Sequence, residues 1–145
     1  MRFARLLSLL LVLFPVTPMA QELRPLAVQT SDGPKVFQVE LADNARTRAR
    51  GLMHRKRMAL DHGMLFDFKK ELKVGFWMKD TLIPLDMIFA RTDGQIVKVH
   101  HRAKALDRTH VPSGGPVRWV LEINGGLAKH LGIRVGDRLM VDDWR

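Results

Sequence analysis

The chain of 145 residues contains no cysteine. It therefore has no disulfide bond, no thiolate nucleophile and no thiol that could carry a lipid anchor. In an oxidising compartment its stability must come from the burial of apolar side chains alone. Thiol chemistry is excluded from its possible functions.

Sequence motifs that identify common enzyme classes are also missing. The chain has no Gly-x-Gly-x-x-Gly loop, no P-loop lysine and no His-x-x-x-His pair, so a nucleotide cofactor is not expected. Past the first twenty residues only two serines remain, Ser31 and Ser113, and neither lies in a Gly-x-Ser-x-Gly elbow. These absences favour a non-catalytic protein without a resident cofactor.

Long apolar runs are scarce, and the run near the amino terminus is short. Arg2 and Arg5 precede an apolar segment over residues 6–14, far short of the ~20 residues that an α-helix needs to cross a bilayer. A basic start followed by a short apolar run is typical of a secretory signal. We therefore predict a signal peptide over residues 1–20, one domain over residues 21–145, no stable membrane span after cleavage, and a periplasmic or secreted protein.

The charge of the chain is one-sided. The formal net charge is +9, and +7 remains once Arg2 and Arg5 leave with the predicted signal. Such a surface favours anionic partners. For an exported protein an anionic envelope component fits better than nucleic acid, because the basic residues are not interleaved with aromatic side chains that stack on bases. The basic segment 46–57 has two interpretations, an anion-binding surface or a merely solvated one.

Short apolar segments separated by turn residues make up most of the predicted domain. The Asp-Gly pair at 93–94 accepts the positive φ angles of a tight turn and predicts an antiparallel hairpin. Asp43 is predicted to cap a short helix that ends at Arg50, residues 127–131 predict a second helix, and residues 102–116 predict a long loop. The fold class is mainly β (α+β), either a compact β-sandwich or a partly open β-barrel with two short helices. The predicted strands cover residues 26–30, 35–41, 63–68, 75–78, 82–91, 95–99, 117–123 and 138–141.

Two acidic residues lie inside these apolar strands. Asp86 shares a strand face with Ile88, and Glu122 shares one with Val120, because side chains alternate across a strand. Burying an unpaired ionised carboxylate is disfavoured by roughly several kcal/mol. Each acid must therefore reach water, a cation or a group of hydrogen-bond donors.

The two acids have two interpretations. In one they form the polar floor of an apolar binding pocket, and in the other they are structural ion pairs held by Lys79 or an arginine. A hydrolase that uses Asp86 and Glu122 as acid and base on an envelope polymer is an alternative to binding. The candidate pocket residues are Arg50, Trp77, Lys79, Asp80, Asp86 and Glu122.

Methionine and histidine offer a further alternative, a soft-metal site, since thioether and imidazole groups suit Cu(I) outside the cytoplasm. Methionine is, however, an ordinary filler of irregular cores, and Met64, Met78 and Met87 lie in apolar strands. His100 and His101 are adjacent in a predicted strand and point to opposite faces, so they predict no metal site. The residues weighed for copper are Met53, His54, Met58, His62, Met64, Met78 and Met87.

Several motifs follow one another in a specific order. They are Arg50-Gly-Leu-Met53, Gly63-Met-Leu-Phe66, Phe76-Trp-Met-Lys-Asp-Thr-Leu-Ile-Pro-Leu-Asp86, Pro112-Ser-Gly-Gly-Pro116, Leu121-Glu122 and Gly136-Asp137. In this order the chain resembles the DUF192 (UPF0127) family over about Val36 to Val141. The resemblance implies a compact, mainly β domain with short helices that is often exported, and it names no ligand.

The family's motif positions include both acids singled out above by burial, Asp86 and Glu122. They include Trp77, Lys79, Asp80, Pro84, Asp86, Glu122 and Asp137. One departure is Ala105, where many relatives have proline, which implies a less rigid 102–116 loop. The sequence thus favours a non-catalytic binding or accessory domain of the cell envelope over a hydrolase, a copper-binding protein or a purely structural domain.

Overall fold

The structure is a computed structural model and describes residues 22–144 of the chain. Its strands are β1 (Arg24–Thr30), β2 (Gly33–Ala42), β3 (His62–Phe76), β4 (Leu85–Ala90), β5 (Ile96–Ala103), β6 (Val111–Asn124) and β7 (Arg138–Leu139). Its helices are α1 (Ala45–Arg50), α2 (Leu127–His130) and a 3₁₀ turn over Asp142–Trp144. These strands form one curled sheet in the order β5-β4-β6-β3-β2-β1-β7. The predicted mainly β class is confirmed in its partly open barrel form, whereas the predicted signal peptide lies outside the described residues.

Two of the strand pairs are hairpins, and a third pair is joined by a crossover. β1 and β2 are antiparallel, as are β4 and β5 around the predicted turn at 93–94. β2 and β3 pair in parallel, with Gln38 opposite His62, which requires the crossover that contains α1. The curl of the sheet brings Gln95, just before β5, into a bridge with Arg138 of β7. The barrel is therefore partly closed where its edge strands meet.

The two faces of the sheet carry two separate cores. In β6, Leu121 and Ile123 face the first core, whereas Val120 and Glu122 face the second, because side chains alternate. The first core consists of Leu26, Val28, Phe37, Val39, Leu65, Ile88, Ala90, Ile96, Trp119, Leu121, Ile123, Ala128, Ile133, Leu139, Val141 and Trp144. The second core consists of Ala42, Leu52, Met64, Phe66, Met78, Leu85, Met87, Phe89, Ala103, Val111, Val117 and Val120.

Helix α1 begins one residue later than predicted. Its cap is Asn44, whose Oδ1 accepts a hydrogen bond from the Thr47 N–H at 3.0 Å while the Thr47 hydroxyl accepts from the Asn44 N–H at 3.3 Å. The predicted cap Asp43 was wrong, because this reciprocal box needs a threonine three residues on. No residue of α1 is buried, and the helix ends at Gly51 with a φ of 49°. Neither α1 nor any other described helix is long and apolar enough to cross a membrane.

The predicted loop 102–116 is shorter in the structure. Residues from Val111 onward belong to β6 and pair with the distal half of β3, so that Pro112 lies opposite Gly75. Ser113 makes this irregular pairing possible, because its hydroxyl accepts from the Val74 N–H at 3.1 Å and donates to the Gly115 carbonyl at 2.7 Å. The buried Ser113 side chain thus takes the place of backbone hydrogen-bond partners at a bulge. The glycines and prolines of this segment had indicated a loop, whereas the segment is an irregular strand.

Candidate functional site

A cavity of about 390 Å³ opens between the end of α1 and the second-core face of the sheet. Four aromatic rings lie in its walls: Phe66 and Phe76 meet edge to face with ring centroids 5.0 Å apart, and Phe68 meets Phe76 at 6.3 Å. Trp77 stands beside them and is 53% exposed. The cavity is lined by Arg48, Ala49, Arg50, Gly51, Leu52, Met53, Phe66, Phe68, Gly75, Phe76, Trp77, Thr81 and Glu122. Its size is within the range of small-molecule sites.

The shape of β3 explains why these rings converge. Phe66 and Phe68 are two residues apart and share a strand face. The pairing of β3 with β6 is interrupted between Asp67 and Leu72, and Lys69 within this interval has a φ of 66°. Beyond this irregular stretch the distal half of β3 again pairs with β6 and brings Phe76 back against Phe66. One strand thus supplies three of the four aromatic walls.

Glu122 contributes its carboxyl group to the lining of the cavity. It lies in β6 opposite Met64 of β3 and Met87 of β4, and only 4% of the residue is exposed. No hydrogen bond or ion pair to this carboxyl is made by residues 22–144. Burial raises the pKa of Glu122 to about 8. At neutral pH the group is therefore mostly protonated, and it presents an O–H donor and a carbonyl acceptor at the cavity.

Two arginines of α1 lie at the cavity and differ in their contacts. Arg48 is held in place, because its Nη1 donates to the Asp67 carbonyl at 2.9 Å and its guanidinium lies 5.3 Å from the Phe68 ring. Arg50 is exposed, and its side chain makes no hydrogen bond, ion pair or ring contact within the described chain. The cavity therefore combines apolar walls, a neutral carboxyl group and one arginine with unused donors.

Asp67 is a third buried acid, which the sequence analysis missed. Its Oδ1 accepts from the Lys69 N–H at 2.7 Å and from Arg118 Nε at 3.0 Å, and Oδ2 accepts from Arg118 Nη2 at 3.2 Å. Burial alone would raise the pKa of Asp67, but the hydrogen bonds from Arg118 and Lys69 outweigh it and lower that pKa. Asp67 interrupts an apolar strand just as Asp86 does, so the same signal could have found it.

Asp86 lies on the other face of the sheet from Glu122. It is opposite Ile123 in the β4–β6 register, and it is fully buried. Its Oδ1 accepts from the N–H groups of Arg102 and Gly126, both at 2.8 Å, and its Oδ2 accepts from the N–H of Ala128 at 2.7 Å. The expectation that Lys79 or an arginine side chain would hold this acid was wrong. Backbone donors at the start of α2 and the end of β5 hold it instead.

The positions of the two acids exclude a hydrolase that uses Asp86 and Glu122 together as acid and base. Glu122 pairs with Met87 and Asp86 pairs with Ile123, so the two carboxyl groups project from opposite faces of the sheet. They cannot converge on one scissile bond, as a pair of catalytic carboxylates must.

The structure brings together three of the six predicted pocket residues. Arg50, Trp77 and Glu122 line the cavity. Lys79 does not line it, and its Nζ lies 5.7 Å from the centroid of the Trp77 ring. Asp80 is also outside the lining, and its carbonyl accepts from the N–H of His54 at 2.8 Å. That these residues bind a ligand stays a prediction.

The methionines weighed for copper are mainly packing residues. Met64, Met78 and Met87 are buried in the second core, and Met58 packs against it. Met53 lines the cavity. Among the described residues, no group of three or more histidine, aspartate or glutamate side chains is arranged to hold a metal ion.

Comparison with known proteins assigns the chain to a family. The family model DUF192, described as "Uncharacterized ACR, COG1430", matches residues 27–141. The chain belongs to the DUF192 family. A search of curated proteins found no match.

Two solved structures share this fold. A protein from Sinorhizobium meliloti 1021, provisionally described as a transcription regulator, is 41% identical, with a TM-score of 0.82 over 85% of this chain and 96% of that one. A protein of unknown function from Novosphingobium aromaticivorans DSM 12444 is 38% identical, with a TM-score of 0.81 over 88% of this chain and 90% of that one.

Proposed function

We propose that this protein is an exported, non-catalytic binding domain of the cell envelope, and that its ligand is a small molecule held in the cavity beside α1. The observation that carries the proposal is the Glu122 carboxyl, which lines an aromatic cavity of about 390 Å³ and makes no hydrogen bond to another described residue. Among the described residues no side-chain oxygen is both fully buried and unpartnered, so the carboxyl oxygens reach the open space of the cavity. A ligand in the cavity can therefore hydrogen-bond to this carboxyl directly.

Binding fits the lining better than catalysis does. Glu122 is the one carboxyl among the lining residues, and the hydroxyl of Thr81 already donates to the Lys79 carbonyl at 3.2 Å. The lining therefore offers no nucleophile hydrogen-bonded to a base, which covalent catalysis requires. Apolar walls with a few polar groups are typical of a site that recognises a small molecule.

Export to the envelope is supported by the basic and apolar pattern of residues 1–20. The test is expression of the full chain in a bacterial host, followed by fractionation and amino-terminal sequencing. We expect periplasmic protein that begins near Gln21. A cytoplasmic protein that retains residues 1–20 would contradict this part of the proposal.

The cavity can be tested with N-phenyl-1-naphthylamine, a neutral aromatic probe that fluoresces in apolar sites. We expect saturable binding to the parent protein. Ala49→Phe places a ring in the cavity lining and should weaken binding at least tenfold. Ala45→Phe is the matched control, because Ala45 lies on the same helix, is exposed and does not line the cavity. Equal binding by both variants, or none by the parent protein, would contradict a cavity site.

DNA binding is a second candidate, favoured by the net charge of +9 and by the description of the Sinorhizobium neighbour. The described helices α1 and α2 have six and four residues, shorter than the recognition helix of a helix-turn-helix protein. We expect only weak, salt-sensitive association with a 20-base-pair duplex. Binding that persists at about 150 mM salt would favour this candidate over the envelope role.

A further inference from the structure

We infer that the cavity takes an amphiphilic organic anion, with its apolar body between the aromatic walls and its anionic group on the guanidinium of Arg50. This inference rests on the proposed function, and it names the class of ligand. Three features of the described residues carry it: the unused donors of Arg50, the sign of the charge around the cavity, and the size of the cavity.

Arg50 has the donors that an anion needs. It is the last residue of α1, it lines the cavity, and none of its guanidinium N–H groups is engaged by another described residue. Arg48, two residues earlier, is already committed to the Asp67 carbonyl and to the Phe68 ring. A guanidinium fork matches a carboxylate, phosphate or sulfonate group and binds it by paired hydrogen bonds.

The charge around the cavity disfavours a cation. Arg48 and Arg50 both line it, and Glu122 is the one acid in the lining. Because burial raises the pKa of Glu122 to about 8, the group is mostly protonated at neutral pH and offers little negative charge to an amine. It can still donate a hydrogen bond to an oxygen on the ligand. The local field is therefore positive, as is the net charge of the whole chain.

The walls require an apolar body behind the anionic group. Phe66, Phe68, Phe76 and Trp77 surround a volume of about 390 Å³, enough for a body of two or three aromatic rings or a folded acyl chain. Inorganic phosphate alone would leave these walls uncovered. The ligand class is therefore an organic anion rather than a free mineral anion.

A matched pair of probes tests the inference. 8-Anilino-1-naphthalenesulfonate differs from N-phenyl-1-naphthylamine by one sulfonate group. We expect the sulfonate probe to bind the parent protein at least fivefold more tightly than the neutral probe. Arg50→Gln should remove most of that advantage, measured as the ratio of the affinities for the two probes. Arg46→Gln is the matched control, because Arg46 lies on α1 one turn earlier and does not line the cavity.

The outcomes separate the inference from the proposed function. If Ala49→Phe blocks both probes but the sulfonate gives no advantage, or Arg50→Gln and Arg46→Gln behave alike, the cavity binds ligands and the inference is overturned. If Ala49→Phe blocks the binding of neither probe, or neither probe binds at all, both the inference and the proposed function are overturned. Sulfonate binding that survives Ala49→Phe would show attraction to the basic surface and would overturn the inference as well.

Discussion

Asp86 and Glu122 are buried acids on neighbouring strands, and they differ in whether the protein hydrogen-bonds their carboxyl groups. The carboxylate of Asp86 accepts three backbone hydrogen bonds of 2.7 to 2.8 Å in the first core. The carboxyl of Glu122 faces the second core and the cavity, and no described residue satisfies it. The first arrangement stabilises the fold by joining β4 to β5 and α2. The second leaves a hydrogen-bonding group that faces the cavity and is available to a ligand.

The largest expected effect is that of Asp86→Ala. It removes the acceptor of the N–H groups of Arg102, Gly126 and Ala128, the last of which is buried, and we expect a loss on the order of 3–5 kcal/mol in the free energy of unfolding. Asp86→Asn keeps one oxygen for two of the donors and should cost about half as much. Urea denaturation measures both. An Asp86→Ala variant as stable as the parent would show that the backbone hydrogen bonds contribute nothing net, and the comparison would fail.

Replacing Glu122 should raise the free energy of unfolding at high pH, whereas replacing Asp86 lowers it. Between pH 4.5, the ordinary pKa of a glutamate, and about pH 8, the pKa of Glu122 in the folded protein, the folded state keeps a proton that the unfolded state has lost. Stability therefore falls as pH rises through this window and levels off above it. Glu122→Gln has no proton to lose, so at pH 9 it should exceed the parent by on the order of 2–4 kcal/mol, relative to their difference at pH 4. Parallel pH profiles of the two proteins would place an ordinary carboxylate at this position.

Asp67 sharpens the comparison, since it is a buried acid paired with a side chain. Arg118→Leu removes two of its hydrogen bonds and should cost about 2 kcal/mol at pH 7. Because the pKa of Asp67 is lowered, its contribution is present above the pKa of an unfolded aspartate and is lost as pH falls through the folded value. The deficit of Arg118→Leu should therefore shrink below about pH 4. A deficit that grows on acidification would contradict this pairing.

The smallest expected effect concerns ligand affinity. Raising the pH from 7 to 9 ionises Glu122 and places a negative charge in the cavity beside the anionic probe. The parent protein should bind 8-anilino-1-naphthalenesulfonate roughly three- to fivefold more weakly at pH 9, whereas Glu122→Gln should be unaffected. Fluorescence titrations at the two pH values check this. An equal pH dependence of affinity in both proteins would show that ionisation of Glu122 does not affect binding of the probe.

Local pattern predicted the elements of this fold, whereas the site depended on pairings between distant segments. Alternation placed Asp86 with Ile88 and Glu122 with Val120, each within its own strand, and the structure keeps both pairs. Which faces coincide depends on the register of β4 against β6, where Glu122 meets Met87. A strand sequence carries no information about that register when it is buried on both faces. The sequence therefore identified the acids but placed them wrongly in one pocket.

The same limit applies to the walls of the cavity. The parallel pairing of β2 with β3 has no local turn signal, so the crossover that carries α1 over the second core could not be predicted. Arg50 and Trp77 were chosen for their residue types, whereas Phe66 and Phe68 lay in the predicted strand 63–68 and were assigned to no site, although both line the cavity. The irregular stretch of β3 around Lys69 is what brings Phe76 back to them.

The central claim is that the cavity with Glu122 binds a small organic anion, and an amide-detected NMR titration of the parent protein tests it most directly. With increasing 8-anilino-1-naphthalenesulfonate, the indole N–H signal of Trp77 and the backbone signal of Gly51 should shift saturably together. The indole signal of Trp119, which donates to the Thr92 carbonyl and is buried in the first core, should stay in place. A shift of Trp119 equal to that of Trp77, or an unmoved Trp77, would contradict the account.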